Sequence, residues 1–188
     1  MKLFLIRHGQ TDCNVQMVFS GQSNAMLTDQ GKQQAQALQP VLSKIPFDRV
    51  YSSDLTRAID TQKLAIPRAK GIQEPLLREI DTGSVTGMTY QKVHETYGQI
   101  NSNYTPFGGE NPAMVMARFE KFLKKLENDP CDYVAAFTHN GTMKYALRLL
   151  LGPESNVAAI ENQNCNIGVL RYDGQKWTLV CWNYAGNI

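Results

Sequence analysis

Two histidines in similar surroundings are the residues best suited to chemistry in this sequence. The first, His8, lies between Arg7 and Gly9, directly after the apolar run at residues 3–6. An imidazole is both a nucleophile and a base near neutral pH, and a neighbouring arginine can bind an anion through a planar fork of donors. The triplet favours phosphate chemistry at His8. A surface Arg-His pair after a core strand explains these three residues alone about equally well.

The second histidine, His139, follows the apolar run at residues 133–137 in the same manner. Both runs are typical of fully buried strands. The carboxyl ends of neighbouring parallel strands meet at one edge of a sheet, where ligands of open α/β folds bind. A lone histidine is more often structural, but the repeated pattern favours a site that His8 and His139 share.

The elements that must position these histidines alternate along the chain. We predict strands at residues 3–6, 47–51, 74–80 and 133–137, helices at 28–44, 55–64, 90–98, 113–128 and 142–151, and a closing hairpin of 166–172 with 177–182. Thr28 is the expected N-cap of the first helix. This alternation indicates an α/β fold, and the length of 188 residues suits a single domain spanning residues 1–188.

Composition excludes several classes of function. The net charge of +2 has no basic run behind it, so we expect neither nucleic acid nor a membrane as a partner. The four cysteines are far apart and form no CxxC pair, which is typical of reduced thiols in a cytoplasmic protein. We also see no targeting segment or membrane span.

Motifs along the whole chain resemble those of the histidine phosphatase superfamily, in the branch that contains cofactor-dependent phosphoglycerate mutases and small phosphatases. In chain order they are Arg7-His8-Gly9-Gln10-Thr11 with Asn14, Gly21 with Leu27-Thr28 and Gly31, Ser52-Ser53-Asp54-Leu55-Thr56-Arg57-Ala58 with Thr61, Leu77-Arg78-Glu79 with Gly83 and Gly87, Gly108-Gly109-Glu110, and Thr138-His139. The resemblance implies a three-layer α/β/α sandwich around a mostly parallel central sheet, as in phosphoglycerate mutase.

The same resemblance implies the catalytic roles. His8 corresponds to the nucleophile that becomes a phosphohistidine, and Glu79 to the proton donor. Arg7, Arg57 and His139 correspond to the residues around the transferring phosphoryl group, with His139 as a third cationic donor if it is protonated. Because this positive charge would replace the Mg²⁺ of kinases, we expect no metal ion and no other cofactor. The alternative for Glu79 is a structural salt bridge, for example to Arg78.

Further positions are expected to bind substrate. Asn14, Ser20 and Gly21 match positions that line the phosphate pocket in the mutase branch. Asn140 stands where Gly is usual after the second histidine. Because Asn tolerates a left-handed conformation better than most residues, we expect that turn to be kept and the Asn140 amide to alter the pocket.

The expected function is a metal-independent phosphomonoesterase, a histidine phosphatase of the acid type acting on small phosphorylated metabolites. Phosphoglycerate mutase-type transfer is the main alternative. Family mutases carry a long insertion with extra basic residues, whereas residues 83–109 contain only one lysine, Lys92, and no arginine. A catalytically silent member that binds a phospholigand or a protein is the third possibility, and the presence of both histidines and both arginines argues against it.

The sequence leaves open which phosphomonoester is bound, whether phosphoproteins are substrates, and the oligomeric state.

Overall fold

A six-stranded sheet organises the computed structural model, which describes residues 1–184. The strands are β1 (Lys2–Arg7), β2 (Arg49–Ser52), β3 (Ile72–Gln73), β4 (Tyr133–Thr138), β5 (Ile167–Tyr172) and β6 (Trp177–Trp182), in the order β3-β2-β4-β1-β5-β6. The first four strands run parallel, and β5 is antiparallel to both of its neighbours. The expected mostly parallel sheet and the closing hairpin are therefore confirmed.

Helices cover both faces of this sheet. They are α1 (Asp12–Val15), α2 (Asp29–Ala37), α3 (Gln39–Leu42), α4 (Thr56–Ala65), α5 (Tyr90–Tyr97), α6 (Pro112–Glu127) and α7 (Asn140–Leu151). Side chains of a strand alternate between the faces, so Leu3 and Leu5 pack with α6 and α7, whereas Phe4 and Ile6 pack with α3 and α4. This two-sided burial explains the uninterrupted apolar run of β1. In residues 1–184 we find no helix with the length and apolar character that crossing a bilayer requires.

Two of the predicted elements were wrong in extent or type. The helix at 28–44 begins as expected, with the Thr28 hydroxyl accepting from the Gly31 N–H, but it breaks into α2 and α3 at Leu38. Pro40 has no N–H to continue the first helix. The strand at 74–80 is absent because Pro75 cannot donate to a ladder; instead Pro75–Leu77 form a 3₁₀ turn that the Glu74 side chain caps.

The turn after the second histidine also differs from the expectation. Asn140 does not adopt a left-handed conformation but is the first residue of α7, which begins two residues earlier than predicted. His139 itself occupies the N-cap position, with extended backbone angles. The chain therefore passes directly from β4 through His139 into the helix, and no left-handed residue is needed there.

Candidate active site

The carboxyl ends of β1 and β4 bring the two histidines together. These strands are parallel neighbours with Arg7 opposite Thr138, and the His8 N–H donates to the Thr138 carbonyl at 3.0 Å. The ring centroids of His8 and His139 are 5.2 Å apart, and only 4% of His8 is exposed. The sheet topology thus produces the juxtaposition that the repeated sequence pattern indicated.

His8 presents a single nucleophilic atom. Its Nδ1 lies 2.7 Å from the Gly9 carbonyl oxygen, which can only accept a hydrogen bond. The proton of the neutral ring is therefore on Nδ1, and Nε2 carries the free lone pair. Burial lowers the pKa of His8 well below its ordinary value, and the charges of Arg57 and Arg7 lower it further. The ring is consequently neutral and ready to attack an electrophile.

The turn that carries His8 is held by close backbone contact. The Gly9 N–H donates to the Thr61 hydroxyl at 3.0 Å, and a Cβ on Gly9 would lie 2.4 Å from the Gly31 carbonyl oxygen. A Cβ on Gly31 would likewise lie 2.0 Å from the oxygen of Gln10. Both glycines are required because α2 packs its first turn directly on the backbone beyond β1.

Arg57 lies beneath the site and is completely buried. Its Nη1 and Nη2 donate to the carbonyl oxygens of Ser23 and Gly21 at 2.8 and 2.7 Å, and its Nε donates to His139 Nδ1 at 3.2 Å. A guanidinium has five N–H groups, so two remain for an oxyanion after these three bonds. Arg57 therefore both anchors the loop before α2 and supplies donors to the site.

Arg7 provides a second cation, which is partly buried. Its Nη1 donates to the Asn162 carbonyl oxygen, while its Nε is buried and has no acceptor among residues 1–184. Burial lowers the pKa of Arg7 and the negative charge of Glu79 opposes that shift, but an arginine stays protonated in proteins. Buried donors that lack a protein acceptor are typical of a site built for an anion.

His139 is neutral, so it does not meet the condition, a protonated ring, under which it would be a third cationic donor. Its Nδ1 accepts from Arg57, so the proton is on Nε2, which donates to the Ser53 hydroxyl at 2.9 Å. Burial lowers the pKa of His139 well below its ordinary value, and the charge of Arg57 adds to the effect. In this structure, His139 therefore orients Arg57 and carries no charge of its own.

Glu79 does not form the salt bridge that was the structural alternative. Arg78 pairs instead with Asp54, with two contacts of 2.7 and 2.6 Å. The Glu79 carboxylate accepts from the backbone N–H groups of Ile80 and Gly141 at 2.8 and 3.1 Å. These bonds hold the carboxylate at the start of α7, where it lines a cavity.

That cavity has a volume of about 700 Å³ and lies between α5, α7 and the loop at residues 98–104. Glu79 and three of the predicted substrate-binding residues, Ser20, Gly21 and Asn140, are among its lining residues. Asn14 is not one of them: its Oδ1 accepts from the Thr11 N–H and from the side chain of Asn164. Asn14 therefore stabilises the backbone around His8 and does not line the cavity.

Sequence reasoning missed the loop at residues 162–166. Asn164 donates from its side chain to the His8 carbonyl oxygen at 3.1 Å, and the Asn162 side chain bonds both Asn140 and Asn166. The signal was present as three asparagines in five residues, Asn-Gln-Asn-Cys-Asn, directly before the closing hairpin. Within residues 1–184, no group of three or more His, Cys, Asp or Glu side chains is arranged to hold a metal ion.

Comparisons with known proteins identify relatives along most or all of the chain. Phosphoglycerate mutase-like protein 4 of Arabidopsis thaliana is 29% identical, covering 100% of this chain and 86% of its own. The adenosylcobalamin/α-ribazole phosphatase of Salmonella typhimurium is 29% identical over 84% of this chain and 83% of its own. A mycobacterial glucosyl-3-phosphoglycerate phosphatase is similar in structure, with a TM-score of 0.88 at 29% identity, covering 98% of this chain and 99% of that one.

A family model described as the histidine phosphatase superfamily (branch 1) matches residues 3–185. This range covers nearly all of the residues that the structure describes. The chain therefore belongs to the histidine phosphatase superfamily.

Proposed function

We propose that this protein hydrolyses small phosphomonoesters through a phosphohistidine on His8, with Glu79 as proton donor and without a metal ion. The observation that carries the proposal is the state of His8, whose Nδ1 proton is held by the Gly9 carbonyl while two arginines surround the ring. The free Nε2 is the atom that attacks phosphorus. Arg7 and Arg57 supply the positive charge that a phosphoryl group needs as its own charge shifts to the equatorial oxygens.

In the first half-reaction, the lone pair of His8 Nε2 forms a bond to phosphorus while the bond from phosphorus to the ester oxygen breaks. The leaving oxygen takes a proton from the Glu79 carboxyl group, and the alcohol departs. Removal of one donor such as Arg57 would lower this rate by about 10²–10³, the loss typical of a preorganised donor.

In the second half-reaction, the Glu79 carboxylate takes a proton from water, and the water oxygen attacks phosphorus. The bond from phosphorus to Nε2 breaks, its electron pair returns to His8, and inorganic phosphate leaves. A mutase would instead return the phosphoryl group to a second alcohol. The phosphatase names of the Salmonella and mycobacterial relatives support transfer to water.

The partner is accordingly a small phosphorylated metabolite rather than nucleic acid or a membrane. The four cysteines, all unpaired, support a cytoplasmic location, where thiols stay reduced. The family match over residues 3–185 supports a single domain.

The test is phosphate release from a panel of phosphomonoesters in EDTA, between about pH 5 and 8, by the wild type and His8→Ala. We expect metal-free activity that His8→Ala abolishes, together with an acid-labile phosphoenzyme that forms only in the wild type. Thermal unfolding of His8→Ala verifies that the variant is folded. Activity that survives the substitution, or that requires added metal, would contradict the mechanism; exchange between 2- and 3-phosphoglycerate without hydrolysis would favour the mutase.

A further inference from the structure

The cavity beyond Glu79 has more positive charge than a neutral alcohol would need. Lys144 and Arg148 of α7 line it, and Glu79 is the only carboxylate among its lining residues. Neither cation forms an ion pair within residues 1–184: Lys144 Nζ donates to the Ala158 carbonyl at 3.2 Å, and Arg148 Nε is buried without an acceptor. Unpaired cations in a cavity indicate a ligand with negative charge.

Lys144 and Arg148 lie on one face of α7, and this face begins beside Glu79. Gly141, which donates to Glu79, is at the start of this face, and Lys144 and Arg148 follow after three and seven residues. At a rise of 1.5 Å per residue, these positions lie roughly 4.5 and 10 Å further along the helix axis. A leaving group that extends from Glu79 along α7 would therefore meet Lys144 first and Arg148 next.

An aromatic part of the cavity lining carries no competing negative charge. Phe19, Tyr90 and Tyr104 form an aromatic cluster there, with ring centroids 4.5 and 5.8 Å apart. Burial raises the pKa of Tyr104 to about 12, so its hydroxyl stays protonated. This part of the lining suits the carbon skeleton of a ligand, while the α7 part suits an anionic group.

We propose that the substrate is a phosphomonoester whose leaving group carries its own carboxylate or second phosphate, which Lys144 and Arg148 bind. This inference rests on the proposed function, because it assigns the far end of the ester that His8 would cleave. The two cations would act as specificity-determining residues. They would bind the anionic group in both ground and transition state and would take no part in breaking the ester bond.

The experiment compares matched substrates with and without the second anion. One pair is 3-phosphoglycerate and glycerol 3-phosphate, which tests the carboxylate; the other is fructose 1,6-bisphosphate and fructose 6-phosphate, which tests the phosphate. In the wild type we expect kcat/KM to favour the doubly anionic member of at least one pair. In Arg148→Gln and Lys144→Gln this ratio should fall by about 10- to 100-fold, the typical loss of a charged hydrogen bond.

Two controls separate this inference from the proposed function. Lys121→Gln removes an exposed cation of α6 and should leave the ratio unchanged. His8→Ala, in which no ester is cleaved, is used to measure the Kd of the same compounds by calorimetry, so that binding is tested without turnover. The inference would be overturned if both members of each pair bound with equal affinity. It would also be overturned if Arg148→Gln and Lys144→Gln left the kcat/KM ratio of the paired substrates unchanged. Either result is possible even if His8 is the nucleophile. Retained hydrolysis by His8→Ala would overturn the proposed function alone.

Discussion

At the level of single residues, two backbone N–H groups hold the Glu79 side chain in place. The bonds from Ile80 and Gly141 fix the carboxylate beside the first turn of α7, at the cavity. Gln22 adds a bond from its side chain to the Glu79 carbonyl at 3.1 Å. In the mechanism proposed above, this carboxyl group delivers the proton to the leaving oxygen of the ester.

We therefore predict that the effect of Glu79→Gln depends on the leaving group. General acid catalysis is worth about 10²–10⁴ in rate, so kcat for an alkyl phosphate should fall by that factor. The nitrophenolate of p-nitrophenyl phosphate leaves without a proton, so the burst of p-nitrophenol in a rapid-mixing experiment should retain a rate within about tenfold of the wild type. An equal loss with both esters would contradict the donor role.

At the level of elements, the loop at residues 162–166 joins three parts of the site. It accepts from Arg7 through the Asn162 carbonyl, binds the His8 carbonyl through Asn164, and reaches α7 through the side chain of Asn162. Through these bonds the loop helps to set the positions of Arg7 and His8 at the end of β1.

We predict that Asn164→Ala lowers kcat by about tenfold and the free energy of unfolding by about 1 kcal/mol, the typical net value of a hydrogen bond. The reason is that the His8 and Asn14 oxygens both lose a donor. Steady-state kinetics and urea unfolding measure the two effects. Gln163→Ala is the matched control, since that exposed side chain bonds only Glu161 and both quantities should be unchanged. An effect of equal size in both variants would show that the loop acts only through its general packing.

At the level of the whole molecule, a chain with a net charge of +2 places two arginines, one buried and one partly buried, at one end of its sheet. Arg7 and Arg57 lie at the carboxyl ends of the strands, where they surround two histidines that burial keeps neutral. Histidines with a lowered pKa in the folded state bind fewer protons than they do in the unfolded chain. The stability of the protein therefore depends on pH in a range where carboxylates do not titrate.

The sign of this dependence follows from the lowered pKa of both histidines. Below about pH 6.5, the unfolded chain takes up protons at His8 and His139 and the folded chain does not, so stability falls as the pH decreases. With two protons, the slope approaches about 2.7 kcal/mol per pH unit. Carboxylates with a lowered pKa, such as Asp48 and Asp54, add to the loss only below about pH 4.

Urea unfolding between pH 7.5 and 5.0 measures this slope. His8→Asn removes one of the two groups, so its slope should be about half that of the wild type. A stability that is constant between pH 7.5 and 5.0 would show that the histidines are not buried in a neutral form.

The sequence by itself determined the features that depend on local residue order. Apolar runs predicted β1 and β4, Thr28 predicted a helix start, and the residues that follow the strands predicted the histidine pair. The predictions failed at two prolines: Pro40 lacks the N–H that would continue α2, and Pro75 cannot donate to a strand ladder. Patterns of apolar residues do not show which backbone hydrogen bonds a segment forms in the folded protein.

Tertiary structure alone decided the neutral state of His139, the support of His8 by Asn164, and the placement of Lys144 and Arg148 along the cavity. Each depends on groups far apart in the chain, so no spacing in the sequence could reveal them. A basic residue on a helix is ordinarily solvated, and only packing against α5 and the loop at residues 98–104 turns two of them into the lining of a cavity. Residue types define the available chemistry, whereas burial and contact determine which charges remain unpaired and where a substrate must supply the opposite sign.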